Sequence, residues 1–208
     1  MGEWGECRFL GSEHLSFADS ADLAYVIGHG NSLPSIEMSK GQNCNLKGCG
    51  WGSFSSPDRK GDLEYIVFQS CSVLKMDSDW RKRWRHYEDT KNQKRPFSGL
   101  HIAMGFKTLY FASGRPGERL ADEFGENLKD GDSVRYAWYE AVDDFRWMAG
   151  YKGNRPAIFY IRPHKDETIM NGDELSSDYL SKDFKYGDWS YKLDAYYMED
   201  SSEQQDTE

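Results

Sequence analysis

Asp22-Leu-Ala-Tyr-Val-Ile27 and Leu63-Glu-Tyr-Ile-Val-Phe-Gln69 are the two stretches that decide the fold of this chain. The first runs directly into Gly28-His29-Gly30, and the second runs directly into Ser70-Cys71-Ser72. Short apolar runs rich in β-branched and aromatic residues, ended abruptly by polar residues or glycine, are typical of buried parallel strands. The two stretches therefore predict buried strands, each with a reactive side chain just beyond its carboxyl end.

The rest of the chain predicts further strands that alternate with helices. Residues 31–61 are rich in Gly, Ser, Asn and Pro and predict a long irregular loop. Residues 77–92, with aromatic side chains at helical spacing, predict an amphipathic helix on the sheet. A third strand is predicted over Gly99–Phe106, and a fourth over Ala157–Ile161.

Two helices are predicted between the third and fourth strands. The first runs from Gly117 to Leu128, and the second follows Asp132 or Ser133 as its N-cap. The apolar residues of the second recur at helical intervals and define one face: Val134, Ala137, Trp138, Ala141, Val142, Phe145 and Met148. Strands that alternate with helices indicate an α/β fold, here a three-layer sandwich with a largely parallel sheet and helices on both faces.

The composition fits one domain over residues 1–198, followed by an acidic tail at 199–208 that is expected to be disordered. The net charge of −9 disfavours a nucleic-acid partner, because phosphate binding needs a positive surface. No apolar run approaches the roughly 20 residues that span a bilayer, and Met1–Leu10 lacks the features of a signal peptide. We therefore expect a cytoplasmic protein with no membrane partner.

The four cysteines are too few for a disulfide scaffold in a chain of 208 residues. Cys44 and Cys49 flank a short loop and, with Cys7, raise the question of a zinc site. Structural zinc usually takes two close pairs of ligands, and the sequence offers one. No glycine-rich phosphate loop follows a strand either. The sequence therefore predicts neither a metal nor a cofactor.

His29 and Cys71 are the strongest candidates for catalysis. The carboxyl ends of parallel strands meet at one edge of a sheet, so the two side chains are expected to lie close together. An imidazole can take the proton of a thiol or stabilise the thiolate, which is the form that attacks a carbonyl. The backbone N–H of Gly30 is a candidate donor to a developing oxyanion. A lone Cys after an apolar strand is more often an inert core residue, so the case depends on the pair.

The pair resembles the dyad of the caspase, legumain, gingipain and separase group of cysteine peptidases, in which the His follows the third strand and the Cys follows the fourth. His29 precedes Cys71 by 42 residues, and in caspases the His lies about 50 residues upstream of the nucleophile. The runs Phe97–Phe106 and Ala137–Ala141 are similar to a bacterial branch of that fold, and the resemblance covers roughly residues 20 to 175. It implies a caspase-like fold with a His–Cys dyad.

Caspase-like domains usually place two strands and a helix before the His strand, whereas 21 residues precede Asp22 here. The sheet is therefore expected to be shortened at its N-terminal side, which leaves a strand edge with unpaired backbone groups. We expect residues 5–18 to cover that edge with a short strand, or a second chain to do so in a homodimer or a hetero-complex.

The leading hypothesis is a cysteine peptidase that cleaves a peptide or protein substrate. The alternative is a non-catalytic caspase-like module that binds a peptide or protein partner. Trp51, Asp77 and Asp79 are expected near strand ends and are candidates for the substrate-binding surface.

Other residues compete for roles in this site. His101 and Cys49 are rival dyad members, the first inside an apparent strand and the second in the loop between the two dyad strands. The residue that orients His29 is left open among three candidates: Asp22, Asn31 and Ser32.

Overall fold

The computed structural model describes the sheet, its helices and the turns beside them. The described residues are 21–31, 35–37, 43–45, 63–80, 84, 97, 100–108, 115–149, 155–161, 166, 168 and 193–197. Within them the strands are β1 (Leu23–Ile27), β2 (His29–Asn31), β3 (Ser35–Glu37), β4 (Asn43–Asn45), β5 (Tyr65–Gln69), β6 (Ile102–Phe106), β7 (Pro156–Ile161) and β8 (Leu193–Tyr197). The helices are α1 (Arg115–Lys129) and α2 (Val134–Ala149).

Five strands form one large sheet in the order β1-β5-β6-β7-β8. β1 and β6 flank β5 and run parallel to it, whereas β7 runs antiparallel to both β6 and β8. The α/β fold and the four predicted strands are confirmed, and the sheet is mixed, because β7 runs against the common direction of β1, β5, β6 and β8. The reason lies in the two helices between β6 and β7. The first helix carries the chain from the carboxyl end of β6 back toward the amino ends of the parallel strands, and the second helix carries it forward again. β7 therefore starts beside the end of β6 and runs antiparallel to it.

A tight turn joins α1 to α2. Gly131 has a φ of +94°, in the left-handed region that glycine adopts without a Cβ penalty. The N–H of Asp132 donates to the Asn127 carbonyl at 3.2 Å, as in a Schellman cap. Ser133 then caps α2, because its Oγ accepts a hydrogen bond from the N–H of Tyr136 at 3.4 Å. Both predicted helices and the N-cap at Ser133 are confirmed.

Both of these helices pack on one face of the large sheet. The predicted apolar face of α2 is buried with residues of α1, β5, β6 and β7 in one cluster, here called the helix-side cluster. Trp138 is fully buried there, with its ring centroid 5.5 Å from that of Phe106 and 5.8 Å from that of Phe124. The side chain of Met148 lies outside the described part of the chain. The buried members of the predicted face are Val134, Ala137, Trp138, Ala141, Val142 and Phe145.

A second apolar cluster covers the opposite face of the sheet. Trp80 and Trp84 are helical and buried there, in agreement with the predicted amphipathic segment. The ring of Trp80 stacks on that of Phe159 with the ring centroids 4.6 Å apart, and the ring of Trp84 meets that of Phe97 edge-on with the centroids 6.2 Å apart. Because side chains cover both faces, β5 and β6 are buried at every position, which explains their continuous apolar sequences. Residues 81–92, apart from Trp84, lie outside the described part.

The prediction of a long loop at 31–61 is wrong where this segment is described. β2, β3 and β4 form a separate antiparallel sheet, in which Ile36 pairs with Gly30 on one side and with Cys44 on the other. Each strand has three residues, too few for a period-two pattern to stand out. Only Gly28 separates β1 from β2, so the small sheet begins at the carboxyl edge of the large one.

Candidate functional site

The last paired residues of β1 and β5 lie side by side at the carboxyl edge of the large sheet. The parallel register pairs Ile27 with Gln69, and His29 and Cys71 each follow two residues later. Paired strands lie about 4.8 Å apart, so the two chain segments leave the sheet as close neighbours. The strands therefore deliver both candidate residues to the same edge.

The segment after β1 packs directly on the segment after β5. A Cβ on Gly30 would overlap the carbonyl oxygen of Cys71, and it would lie 2.5 Å from Val73 Cγ2 and 2.9 Å from Ser70 Oγ. A side chain at this position therefore does not fit, and glycine allows the close approach of the two backbones. The missing side chain at residue 30 is what lets β2 touch the turn that carries Cys71.

Backbone hydrogen bonds hold that turn in an unusual conformation. Ser72 has a φ of +49°, a value that residues other than glycine rarely adopt. Its N–H donates to the Thr108 carbonyl at 2.8 Å, and the N–H of Leu74 donates to the Phe106 carbonyl at 3.2 Å. The end of β6 thus fixes the turn. Such φ values cluster at functional sites, where the surrounding structure over-determines the backbone, so Cys71 is presented in one defined geometry.

The two candidate side chains differ in exposure. Cys71 is half-buried and packs against the helix-side cluster. His29 and Asn31 are exposed on β2, and Gly30 between them is half-buried. Since successive residues of a strand point to opposite faces, His29 lies on the face of β2 away from the Gly30 contact. The structure therefore joins the two backbones and leaves the imidazole on the solvent side of β2.

The rival histidine lies at the other end of the sheet. His101 is buried, its backbone N–H donates to the Glu64 carbonyl at 2.8 Å, and its ring meets that of Tyr65 edge-on with the ring centroids 6.0 Å apart. Tyr65 is the first residue of β5, and a five-residue strand spans about 16 Å. His101 is therefore too far from Cys71 to act as its partner. Cys49 lies outside the described residues.

The structure narrows the set of residues that could orient His29. Asp22 lies at the amino end of β1, where its carbonyl accepts N–H groups from the start of β5, so it is too distant. Asn31 shares a strand and a face with His29, and Ser32 lies outside the described residues. Glu37 stands directly opposite His29 in the β2–β3 register. Sequence reasoning missed Glu37, because it did not predict that these strands pair.

Two of the three candidate substrate-binding residues are described. The carboxylate of Asp77 accepts a hydrogen bond from the N–H of Asp79 at 3.1 Å, and the carbonyl of Asp77 accepts one from the N–H of Trp80 at 3.1 Å. Asp77 therefore has a local role in the turn before Trp80, whereas Asp79 is exposed. Trp51 lies outside the described residues.

The described residues contain neither a metal-binding cluster nor a membrane-spanning helix. They hold no group of three or more His, Cys, Asp or Glu residues arranged to bind a metal ion. Of the cysteines considered as zinc ligands, Cys7 and Cys49 lie outside them, and Cys44 is described by its backbone in β4. No helix among these residues, α1 and α2 included, has the length and apolar character needed to cross a membrane.

Fold and site together define an α/β protein whose mixed sheet presents a histidine and a cysteine beyond the carboxyl ends of two adjacent parallel strands. The chain belongs to the family described as domain of unknown function (DUF6345), whose model matches residues 5–181. The match includes the described elements from β1 to β7, while β8 lies beyond it and pairs with β7 in the same sheet. A comparison with curated proteins gave no match.

Proposed function

We propose that the protein is a cysteine peptidase with a caspase-like fold, in which Cys71 is the nucleophile and His29 is the general base and acid. The observation that carries the proposal is the contact of Gly30 with the backbone of Cys71. This contact puts the neighbour of His29 against Cys71 itself, although the two segments are far apart in the chain. Close packing of this kind gives two reactive residues a fixed relation to one another, which catalysis requires.

Two further features of the fold support a caspase-like arrangement. The strands that precede His29 and Cys71 are adjacent and parallel, in the order that the resemblance implies. Apolar clusters cover both faces of the sheet, in keeping with three layers. β7 and β8 lie on the side of the sheet away from β1. The antiparallel pairings are therefore remote from β1 and β5, the strands that precede His29 and Cys71.

The exposed position of His29 is compatible with peptide hydrolysis. A scissile peptide bond has to fit between the thiol that attacks its carbon and the imidazole that protonates its leaving nitrogen. In the proposed complex the imidazole of His29 therefore reaches around from the solvent side of β2 to the leaving nitrogen. Catalytic hydrogen bonds are often long before substrate binds and shorten in the complex.

The proposed reaction proceeds through a thioester. His29 accepts the proton of Cys71, and the thiolate sulfur bonds to the carbonyl carbon while the carbonyl π electrons move to oxygen. When this intermediate collapses, the C–N bond breaks, and the leaving nitrogen takes the proton from His29. A water molecule then gives a proton to His29 while the water oxygen attacks the thioester carbon. The C–S bond breaks, the sulfur regains the proton from His29, and the second product leaves as a carboxylic acid.

The remaining roles follow from position. The backbone N–H groups of Gly30 and Cys71 are the proposed donors to the oxyanion. Glycine at residue 30 is also required by packing, because a Cβ there would overlap the Cys71 carbonyl. Asp79, exposed in the segment after Cys71, is proposed to contact the substrate, together with Asp77 and Trp51. A cytoplasmic location completes the proposal.

A non-catalytic peptide-binding module is the second candidate. In the described part of the large sheet, β1 is an outer strand, and Ile27 at its end is 61% exposed. An extended peptide can add to such an edge through backbone hydrogen bonds, and so can a strand of a second copy of the chain. Residues 5–18, which were expected to cover this edge, lie outside the described residues.

Cleavage of a peptide library separates the two candidates. Wild type, Cys71→Ala and His29→Ala are incubated with the library near neutral pH, and new peptide termini are identified by mass spectrometry. The peptidase proposal predicts new termini with the wild type and at least about a hundredfold fewer with either variant. Equal background cleavage by all three proteins contradicts it. Retention of the same peptides by all three then favours the binding module.

A further inference from the structure

A buried glutamine links the two strands of the proposed dyad. Gln69, the last residue of β5, is 2% exposed. Its Oε1 accepts a hydrogen bond from the Tyr25 hydroxyl at 2.8 Å, and its Nε2 donates to the Gly117 carbonyl at 3.1 Å. The Gly117 carbonyl can only accept a hydrogen bond, so the NH₂ group of the Gln69 amide faces α1 and its oxygen faces Tyr25. One side chain thus joins β1, β5 and the first turn of α1.

This link acts at the end of β1 where packing is weak. Ile27 is 61% exposed, so the last residue of β1 gains little from burial. Among the described strands, β5 is the neighbour of β1 in the sheet. Tyr25 is half-buried against the helix-side cluster, and its bond to Gln69 crosses between the strands four residues before His29 and two residues before Cys71.

We propose that Gln69 is a positioning residue of the His29–Cys71 site. It holds the end of β1 and the start of α1 against the end of β5, and so it fixes how His29 stands relative to the thiol. The inference depends on the proposed dyad. The side chain of Gln69 is buried and does not touch the substrate. It acts by fixing the backbone of β1 and β5, from which His29 and Cys71 follow.

A double-mutant cycle on the alkylation of Cys71 tests this role in the full chain. The rate of iodoacetamide labelling at Cys71 is measured by peptide mapping for wild type, His29→Ala, Gln69→Met and the double variant. In the wild-type background, His29→Ala is expected to slow labelling by at least about tenfold. In the Gln69→Met background it is expected to slow labelling by less than about threefold, because the imidazole has lost its fixed relation to the thiol.

Two further variants separate positioning from a general loss of stability. Phe145→Leu is the matched control, since Phe145 is buried in the helix-side cluster against which Tyr25 packs, but lies on α2. In that background His29→Ala is expected to keep its full effect. Tyr25→Phe removes one hydroxyl and is expected to weaken the coupling in part; it replaces Gln69→Met in the cycle if that variant does not fold.

The outcomes distinguish failure of the positioning role from failure of the dyad. An effect of His29→Ala that is equal in the wild-type and Gln69→Met backgrounds overturns the positioning role and leaves the dyad standing. Loss of the His29→Ala effect in the Phe145→Leu background also overturns it, because the coupling is then not specific to Gln69. No effect of His29→Ala in the wild type overturns the dyad, and the positioning role with it.

Discussion

Ile27 and Gln69 are the last paired residues of two adjacent parallel strands, and this register puts His29 and Cys71 at the same step beyond the sheet. The chain then turns into β2, where the absence of a side chain on Gly30 lets that strand rest on the Cys71 turn. The site is therefore defined by strand pairing and by one close backbone contact.

Gly30→Ala is expected to destabilise the protein by about 2 kcal/mol or more, because the added Cβ forces β2 and the Cys71 turn apart. Thermal unfolding measures the loss. Gly125→Ala is the control: a Cβ there meets nothing within 4 Å in the middle of α1, and the change is expected to stabilise the helix by about 0.5–1 kcal/mol. Similar shifts for both variants would show that the two segments are not in contact.

Trp138→Ala is expected to lower the free energy of unfolding by about 3–5 kcal/mol, because it empties a fully buried site between two aromatic rings. Trp138→Phe is expected to cost less. It keeps a ring in the site and removes an indole N–H that finds no hydrogen-bond partner among the described residues. Urea denaturation compares the two, and an unchanged midpoint for Trp138→Ala contradicts the assigned packing.

The elements that could be predicted from sequence are those whose environment is uniform along their length. β5 and β6 are buried on both faces, so their apolar runs stand out. α2 buries one face, so Val134, Trp138 and Phe145 recur at helical spacing. Local patterns of this kind also located His29 and Cys71.

What could not be predicted depends on contacts between distant residues. The strands β2 to β4 have three residues each and show no period, and the antiparallel direction of β7 follows from how two helices stack. Glu37 has no local signal, since its place opposite His29 exists only through the β2–β3 pairing. In the sequence Gln69 is recognisable only as the end of a strand. Its hydrogen bonds to Tyr25 and Gly117 exist only in the folded chain.

The titration of Tyr136 tests the surface of α2. A hydrogen bond to Glu140, and the negative charge of that carboxylate, raise the pKa of Tyr136 above its ordinary value. The phenol should therefore stay protonated to higher pH than an isolated tyrosine, and Glu140→Gln should lower its pKa toward about 10. Ring signals of Tyr136 followed by NMR measure both values. A pKa that does not move in the variant would show that the pair on α2 is not formed.

The labelling rate of Cys71 in wild type and in His29→Ala tests the proposed dyad most directly. Native protein is treated with limiting iodoacetamide near neutral pH, and each of the four thiols is followed by peptide mapping. Cys71 is expected to react faster than Cys7, Cys44 and Cys49, and His29→Ala is expected to slow Cys71 alone by at least about tenfold. A Cys71 that reacts only after unfolding, or at the same rate with and without His29, contradicts the dyad.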